Sequence, residues 1–161
     1  MVSVRINLGG GRYLSAEKDV WEADRAYMGG LWGCLDMAST DILTTSDHIE
    51  GTEDVRLFQT IRVGESFRYR FDMDPGTYQV GILLAEIFWE SEDAEPEDVY
   101  INERRVLENY NIFDEVGHDV AVEKRSEVES EDGIIEVKFV GKSLPMHSGA
   151  RACAIEVVST D

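Results

Sequence analysis

Along this chain, apolar and polar residues alternate with a period of two over several short stretches. Val2, Val4, Ile6 and Leu8 are separated by Ser3, Arg5 and Asn7, the pattern of a strand with one buried face. The run Gly9-Gly10-Gly11 then breaks it. Phe67, Tyr69 and Phe71 alternate with Arg68, Arg70 and Asp72, and Asp74-Pro75-Gly76 follows as a turn, because Pro presets φ and Gly accepts positive φ. Tyr78 to Trp89 is nearly all apolar and predicts a strand covered on both faces. The acid-rich stretch Ser91 to Asp98, with Pro96, reads as a solvated loop. Further strands are expected at Asp98–Ile101, Arg105–Leu107, Val120–Glu129, Ile134–Val140 and Ala152–Val158, with a tight turn at Asn102-Glu103 and a loop over Gly141–Arg151. Ala16 to Thr45 is less regular, and short helical turns are expected near Asp19 to Arg25.

Many short strands with turn signals between them, and no sustained helical period, predict an all-β fold of two packed antiparallel sheets, a sandwich or jelly roll. The first and last strands are expected to lie side by side. The 161 residues fit one domain spanning 1–161, large enough to hold a core without a metal or disulfide.

Charge narrows the partners. Lys and Arg total 15 against 33 Asp and Glu, a net charge of −18, and only four of the cations are lysines. Such a surface repels phosphate backbones and anionic lipid heads, which argues against nucleic acid and membrane partners. The acidity fits either a plainly solvated surface or a salt-rich setting in which counterions screen the carboxylates, and both readings stay open. No apolar run reaches membrane-spanning length, and Met1 to Arg5 does not open a signal peptide. The chain is therefore expected either to stay inside the cell or to be a module of a longer exported protein. Cys34 and Cys153 allow a disulfide or two buried free thiols.

Catalytic motifs do not emerge. With 33 acids some carboxylate pair always looks suitable for glycoside hydrolysis, so that signal carries no information. Nucleophile elbow, P-loop, dinucleotide fingerprint and zinc-ligand spacing are absent. His48, His118 and His147 look isolated, with no neighbouring ligand set. No cofactor and no enzymatic activity are expected. A calcium ion bracing Ser91 to Asp98 is conceivable, although no ligand register is recognisable.

Six segments in order resemble the malectin family of carbohydrate-binding modules. They are Arg5-Ile6-Asn7-Leu8-Gly9-Gly10; Trp21-Glu22-Ala23-Asp24 with Tyr27 and Gly29-Gly30; Gly51-Thr52-Glu53-Asp54 with Leu57-Phe58-Gln59-Thr60; Ala85-Glu86-Ile87-Phe88-Trp89; Val99-Tyr100-Ile101-Asn102 with Asn111 to Gly117; and Ala154-Ile155-Glu156. The resemblance covers nearly the whole chain. It implies a jelly-roll-like sandwich of the malectin or galactose-binding kind, no catalysis, and a sugar site on loops at one end. A monomeric module that binds oligosaccharide or polysaccharide follows, attached to a larger protein such as a glycoside hydrolase. The alternative is a malectin-like module that binds protein instead of sugar.

Carried over residue by residue, the family's aromatic pair falls on Phe88 and Trp89. Its early Tyr-Gly falls on Trp32-Gly33, with Tyr27 as the other occupant of that place. Its next aromatic falls on Val63, so the family's preference for glucose disaccharides lacks one support here. Arg62 beside it offers a hydrogen-bonding fork instead. The late-loop Asp has no match, and His147 or Ser148 stands in its region. These rings are expected to cluster at one rim. Sugars present flat C–H faces and hydroxyl edges, which an aromatic surface ringed by polar groups can meet. Glu86, Asp54 and Asp114 read as structural acceptors near turns, and Trp21 as core.

Overall fold

The described residues form fourteen strands and one short helix, the longer strands falling where alternation or an apolar run predicts them. The computed structural model describes residues 2–91, 94–142 and 149–160. In chain order the strands are β1 (Ser3–Asn7), β2 (Tyr13–Leu14), β3 (Val20–Ala23), β4 (Trp32–Cys34), β5 (Asp41–Thr44), β6 (Thr60–Gly64), β7 (Ser66–Asp72), β8 (Gly76–Leu84), β9 (Glu97–Ile101), β10 (Arg104–Tyr110), β11 (Val122–Ser130), β12 (Ile134–Gly141), β13 (Ala150–Ala152) and β14 (Ala154–Ser159). The helix α1 spans Ile112–Val116. Single 3₁₀ turns occupy Met37–Ser39 and Val55–Phe58.

A six-stranded sheet in the order β11-β8-β14-β1-β3-β2 faces a five-stranded sheet in the order β10-β9-β12-β7-β4, and a third, three-stranded sheet runs β13-β6-β5. Neighbours are antiparallel except for β1 and β3, which pair in parallel through Ile6–Glu22 and Asn7–Ala23. β1 and β14 pair side by side, from Ser3 opposite Val158 to Asn7 opposite Ala154. The expected two-sheet sandwich is thus present, with a third sheet added. The segment expected to hold helical turns near Asp19 instead contributes β3, because Val20 and Trp21 are drawn into the ladder beside β1 and β2.

Period-two burial explains the main core. Phe67, Tyr69 and Phe71 point inward from β7, and Ile135, Val137 and Phe139 from the facing positions of β12. Phe67 and Phe139 stack with ring centroids 4.9 Å apart. Val4 and Ile6 of β1, Tyr78, Val80, Ile82 and Leu84 of β8, and Ile155 and Val157 of β14 close the same core from the six-stranded sheet. A second core lies on that sheet's other side, where Leu83, Ala85, Cys153 and Ala154 meet Trp21, Ile49, Leu57, Phe58 and Ile61. Two-sided cover accounts for the unbroken apolar run Ile82 to Ala85. Cys34 belongs to the first core and Cys153 to the second, and both are free thiols.

β8 fixes the long axis. Its nine residues span about 30 Å at 3.3 Å per residue. One end is the β7–β8 turn, where the Tyr78 hydroxyl donates to the Asp74 carbonyl at 2.5 Å. The other is the loop from Ala85 to Ser91. Among the described residues, no helix is long and apolar enough to cross a membrane.

Candidate functional site

Beyond Leu84 the chain leaves β8 and is held by one buried carboxylate. Glu86 is 1% exposed. Its Oε2 accepts hydrogen bonds from the backbone N–H groups of Phe88 and Trp89, both at 3.1 Å, and from Arg151 Nη1 at 2.8 Å. A buried carboxylate must be satisfied by donors or a partner charge, and here the donors are the amides of the loop itself. The result is a tight turn that presents Phe88, 42% exposed, beside a half-buried Trp89. The two rings meet edge to face, 5.0 Å apart with an 86° interplanar angle. Trp89 Nε1 is buried and has no hydrogen-bond partner among the described residues.

Two further segments complete this end. His118 pairs with Glu86 through an isolated parallel bridge, and the Asp119 N–H donates to the Glu86 carbonyl at 2.9 Å. His118 Nδ1 lies 2.7 Å from the Trp89 carbonyl, a contact in which Nδ1 carries a proton and donates it, since a carbonyl can only accept. Its Nε2 lies 3.2 Å from Asp119 Oδ2 and 3.7 Å from Glu90 Oε1. Glu50 ties in the 46–51 segment: its N–H donates to the Asp119 carbonyl, and its carbonyl accepts from the Ala121 N–H. Asp47, Glu90, His118 and Asp119 thus form a polar cluster joined to the aromatic turn at the Trp89 carbonyl. Burial raises the pKa of Asp119, the His118 charge opposes the shift, and a hydrogen bond to the like-charged Asp47 adds to it.

Asp47, His118 and Asp119 have ligand atoms all within 4.8 Å of one another. His118 is therefore not the isolated histidine that the sequence pattern suggests. One imidazole and two carboxylates could hold a borderline cation such as zinc, a better match than calcium, which takes oxygen ligands. Of the acid-rich stretch considered for calcium, Asp98 is already engaged by Lys142 at 2.9 Å and by the Asn109 N–H at 2.7 Å, while residues 92 and 93 lie outside the described residues.

Behind the rim, Arg151 serves two carboxylates. Its N–H donates to Glu97 Oε1 at 2.9 Å while its guanidinium faces Glu86. Both acids are 1% exposed. Burial pushes the Glu97 carboxyl up to about 8; the Arg151 N–H and charge oppose this and the Glu86 charge adds to it.

The other sequence-derived candidates do not join this end. Trp32 lies opposite Phe71 near the β7–β8 turn, is 8% exposed, and is covered by the Arg25 guanidinium 3.6 Å from its ring centroid. Gly33 beside it has φ near +152°, and a Cβ there would lie 2.5 Å from the Tyr27 backbone, so the 26–34 loop, joined by a parallel bridge between Ala26 and Cys34, is closed tightly. Tyr27 donates its hydroxyl to Asp72, with Arg70 over its ring. Both rings therefore sit near the far end of β8 from Phe88, which corrects the expectation of one shared rim. Proximity to a glycine loop in sequence does not specify which end of a sandwich a ring occupies. Arg62 is 4% exposed and faces inward. It pairs with Asp24 at 2.6 Å and bonds the Tyr69 hydroxyl at 2.8 Å and Thr40 Oγ1 at 2.6 Å. Val63 is buried opposite Arg151. His147 and Ser148 lie outside the described residues. Sequence reasoning missed Asp47, His118 and Asp119 as neighbours of the aromatic pair. The adjacent His118-Asp119, directly after Gly117, was the available signal.

A sandwich of antiparallel sheets with an aromatic pair and polar loops at one end defines a β-sandwich module whose loops form its exposed rim. Residues 2–154 match the family described as Malectin domain, and the chain belongs to that family. No curated protein matches the chain. Among solved structures, a β-glucuronidase from Bacteroides uniformis, determined covalently bound to a cyclophellitol-6-carboxylate aziridine, is similar at 25% identity and a TM-score of 0.84. The match covers 99% of this chain and 18% of that one, so the chain spans under a fifth of that enzyme. The plant receptor-like kinase FER (18% identity, TM-score 0.78) and the ANX1 ectodomain from Arabidopsis thaliana (13%, 0.83) share the fold. Each is matched over 98% of this chain, which covers 42% and 48% of theirs.

Proposed function

We propose that this chain is a non-catalytic carbohydrate-binding module, one part of a larger glycan-active protein, and that it reads oligosaccharide through the rim carrying Phe88 and Trp89. The observation that carries the reading is an exposed Phe88 ring held beside Trp89 by Glu86, with the polar cluster of Asp47, Glu90, His118 and Asp119 attached at the Trp89 carbonyl. A pyranose can lay its C–H face on Phe88 and offer hydroxyls to the carboxylates and imidazole of that cluster. Family membership and the likeness to a region of a glucuronidase support both the ligand class and the attachment to an enzyme. Tyr27, Trp32 and Arg62 take no part, because each is engaged elsewhere in the fold. His147 joins the reading on sequence grounds.

A small, shallow, polar site of this kind gives a Kd on the order of 0.1–1 mM, about −4 to −5.5 kcal/mol. An NMR titration of the labelled chain with a panel of oligosaccharides tests it. Shifts centred on residues 47, 86–90 and 118–119 are expected, and Phe88→Ala is expected to weaken binding at least about tenfold. Silence at this rim with every sugar, or turnover of chromogenic glycosides by the chain alone, overturns the reading. Silence with sugars together with saturable binding of a protein partner would replace it with a protein-interaction module.

A further inference from the structure

The outer face of the five-stranded sheet carries a second trough, well away from the rim. Register places Arg105, Tyr100, Lys138 and Arg68 directly opposite one another across β10, β9, β12 and β7. That row is about 14 Å long at the usual strand spacing. Tyr100, Lys138 and Arg68 form the floor of a depression of about 620 Å³. One wall is the turn bearing Asp36 and Ser39, and another is the β9–β10 turn bearing Glu103. The depression runs on past Glu103 and Glu136 into a second of about 300 Å³ that reaches Asp132.

Its chemistry is specific. Arg68 is set in place by a two-pronged contact with Asp36, at 2.9 and 3.0 Å, which leaves the rest of its fork facing the trough. Lys138 is exposed and has no ion-pair partner among the described residues. Ser39 and Ser66 add hydroxyls, and Glu136 and Glu103 add acceptors. Tyr100 is the one aromatic ring of the lining and is half-buried. A protein partner would require an apolar centre, which this lining does not provide. Acidic glycans would meet four carboxylates (Asp36, Glu103, Asp132 and Glu136) against two cations, an unfavourable balance.

From this arrangement we infer that the sheet face is a second carbohydrate subsite, taking an internal segment of a neutral oligosaccharide with a sugar face on Tyr100 and hydroxyls on Lys138, Arg68 and Glu136. The choice of ligand class rests on the carbohydrate reading above; the location is independent of it.

The test titrates the full ¹⁵N-labelled chain with cellohexaose, xylohexaose and mannohexaose, in the wild type, Phe88→Ala and Tyr100→Ala, with hexalysine as a control ligand. The expected result is a set of shifts at residues 66–70, 100–103 and 136–138 with at least one hexasaccharide. That set persists in Phe88→Ala and weakens at least about tenfold in Tyr100→Ala, whose spectrum otherwise stays that of the folded chain. Lys138→Gln, which is exposed and leaves the fold untouched, is expected to weaken the same set. A responsive rim with a silent sheet face overturns the second subsite alone. A responsive face with a silent rim supports it and overturns the rim reading. Silence at both overturns both, and a face that answers only hexalysine marks a cationic partner instead.

Discussion

Phe88 and Arg151 have opposite relations to the fold, and single substitutions separate them. Phe88 lends little to the interior, so Phe88→Ala is expected to cost no more than about 1.5 kcal/mol, the upper worth of its edge-to-face contact, while weakening the proposed sugar binding at the rim at least about tenfold. Urea unfolding beside calorimetric titration checks both halves; a large stability loss would assign the ring a packing role instead. Arg151 is fully interior and faces Glu86. Arg151→Met strands a buried carboxylate and is expected to cost roughly 3–5 kcal/mol. It also loosens the turn that holds Phe88 and Trp89, read as a change in Trp emission at low denaturant. Glu97 supplies a pH signature. Its folded pKa of about 8 stands above the ordinary glutamate value of 4.5, so between these limits the folded state holds a proton that the unfolded chain has lost. Its contribution to stability is full below about 4.5, declines as pH rises, and is lost above about 8. The slope approaches 1.4 kcal/mol per pH unit for one proton. Glu97→Gln is expected to remove that slope, so the variant gains on the wild type between pH 5 and 8. Parallel stability–pH curves for the two proteins would show that Glu97 titrates normally.

Elements differ in how plainly the sequence announced them. β7 is long enough for its period-two pattern to be unmistakable and lies where alternation puts it, and β12 covers the expected 134–140 stretch. β8 was legible as an unbroken apolar run, but it ends at Leu84, short of the expected Trp89, because the buried Glu86 carboxylate draws the chain into a turn. β3, β5 and β13 are three or four residues each, too short to show a period. The three-stranded sheet and the second core therefore stayed hidden until tertiary pairing defined them. The aromatic turn at Phe88 was legible because it ends an apolar run. Its supports were not: Glu86 meets Arg151 across 65 positions, and no local pattern encodes that meeting. Arg62 shows the same limit in reverse. A lone arginine between Ile61 and Val63 reads as a surface fork, yet it joins β6 to Asp24 and to Tyr69 of β7. Asp24→Asn is accordingly expected to destabilise the protein by several kcal/mol without touching ligand affinity, provided the variant is assayed well below its melting temperature.

For the whole molecule, 33 acids against 15 bases set the conditions of stability. Self-repulsion of like charges weakens the folded state and salt screens it, so the melting temperature is expected to rise by several degrees between about 0.05 and 1 M NaCl. A flat profile would mean that the ion pairs around Asp98 and Glu156 already neutralise the repulsion locally.

β1 and β14 lie in antiparallel register, with Ser3 opposite Val158, and Thr160 bonds Thr77 at the start of β8. Chain entering at residue 2 and leaving at residue 160 therefore does so at the pole opposite Phe88, so a tether on either side leaves the rim unobstructed. Tension applied through those two tethers would part the β1–β14 seam one residue pair at a time, like a zipper, and the domain should yield at low force in a single-molecule pulling experiment.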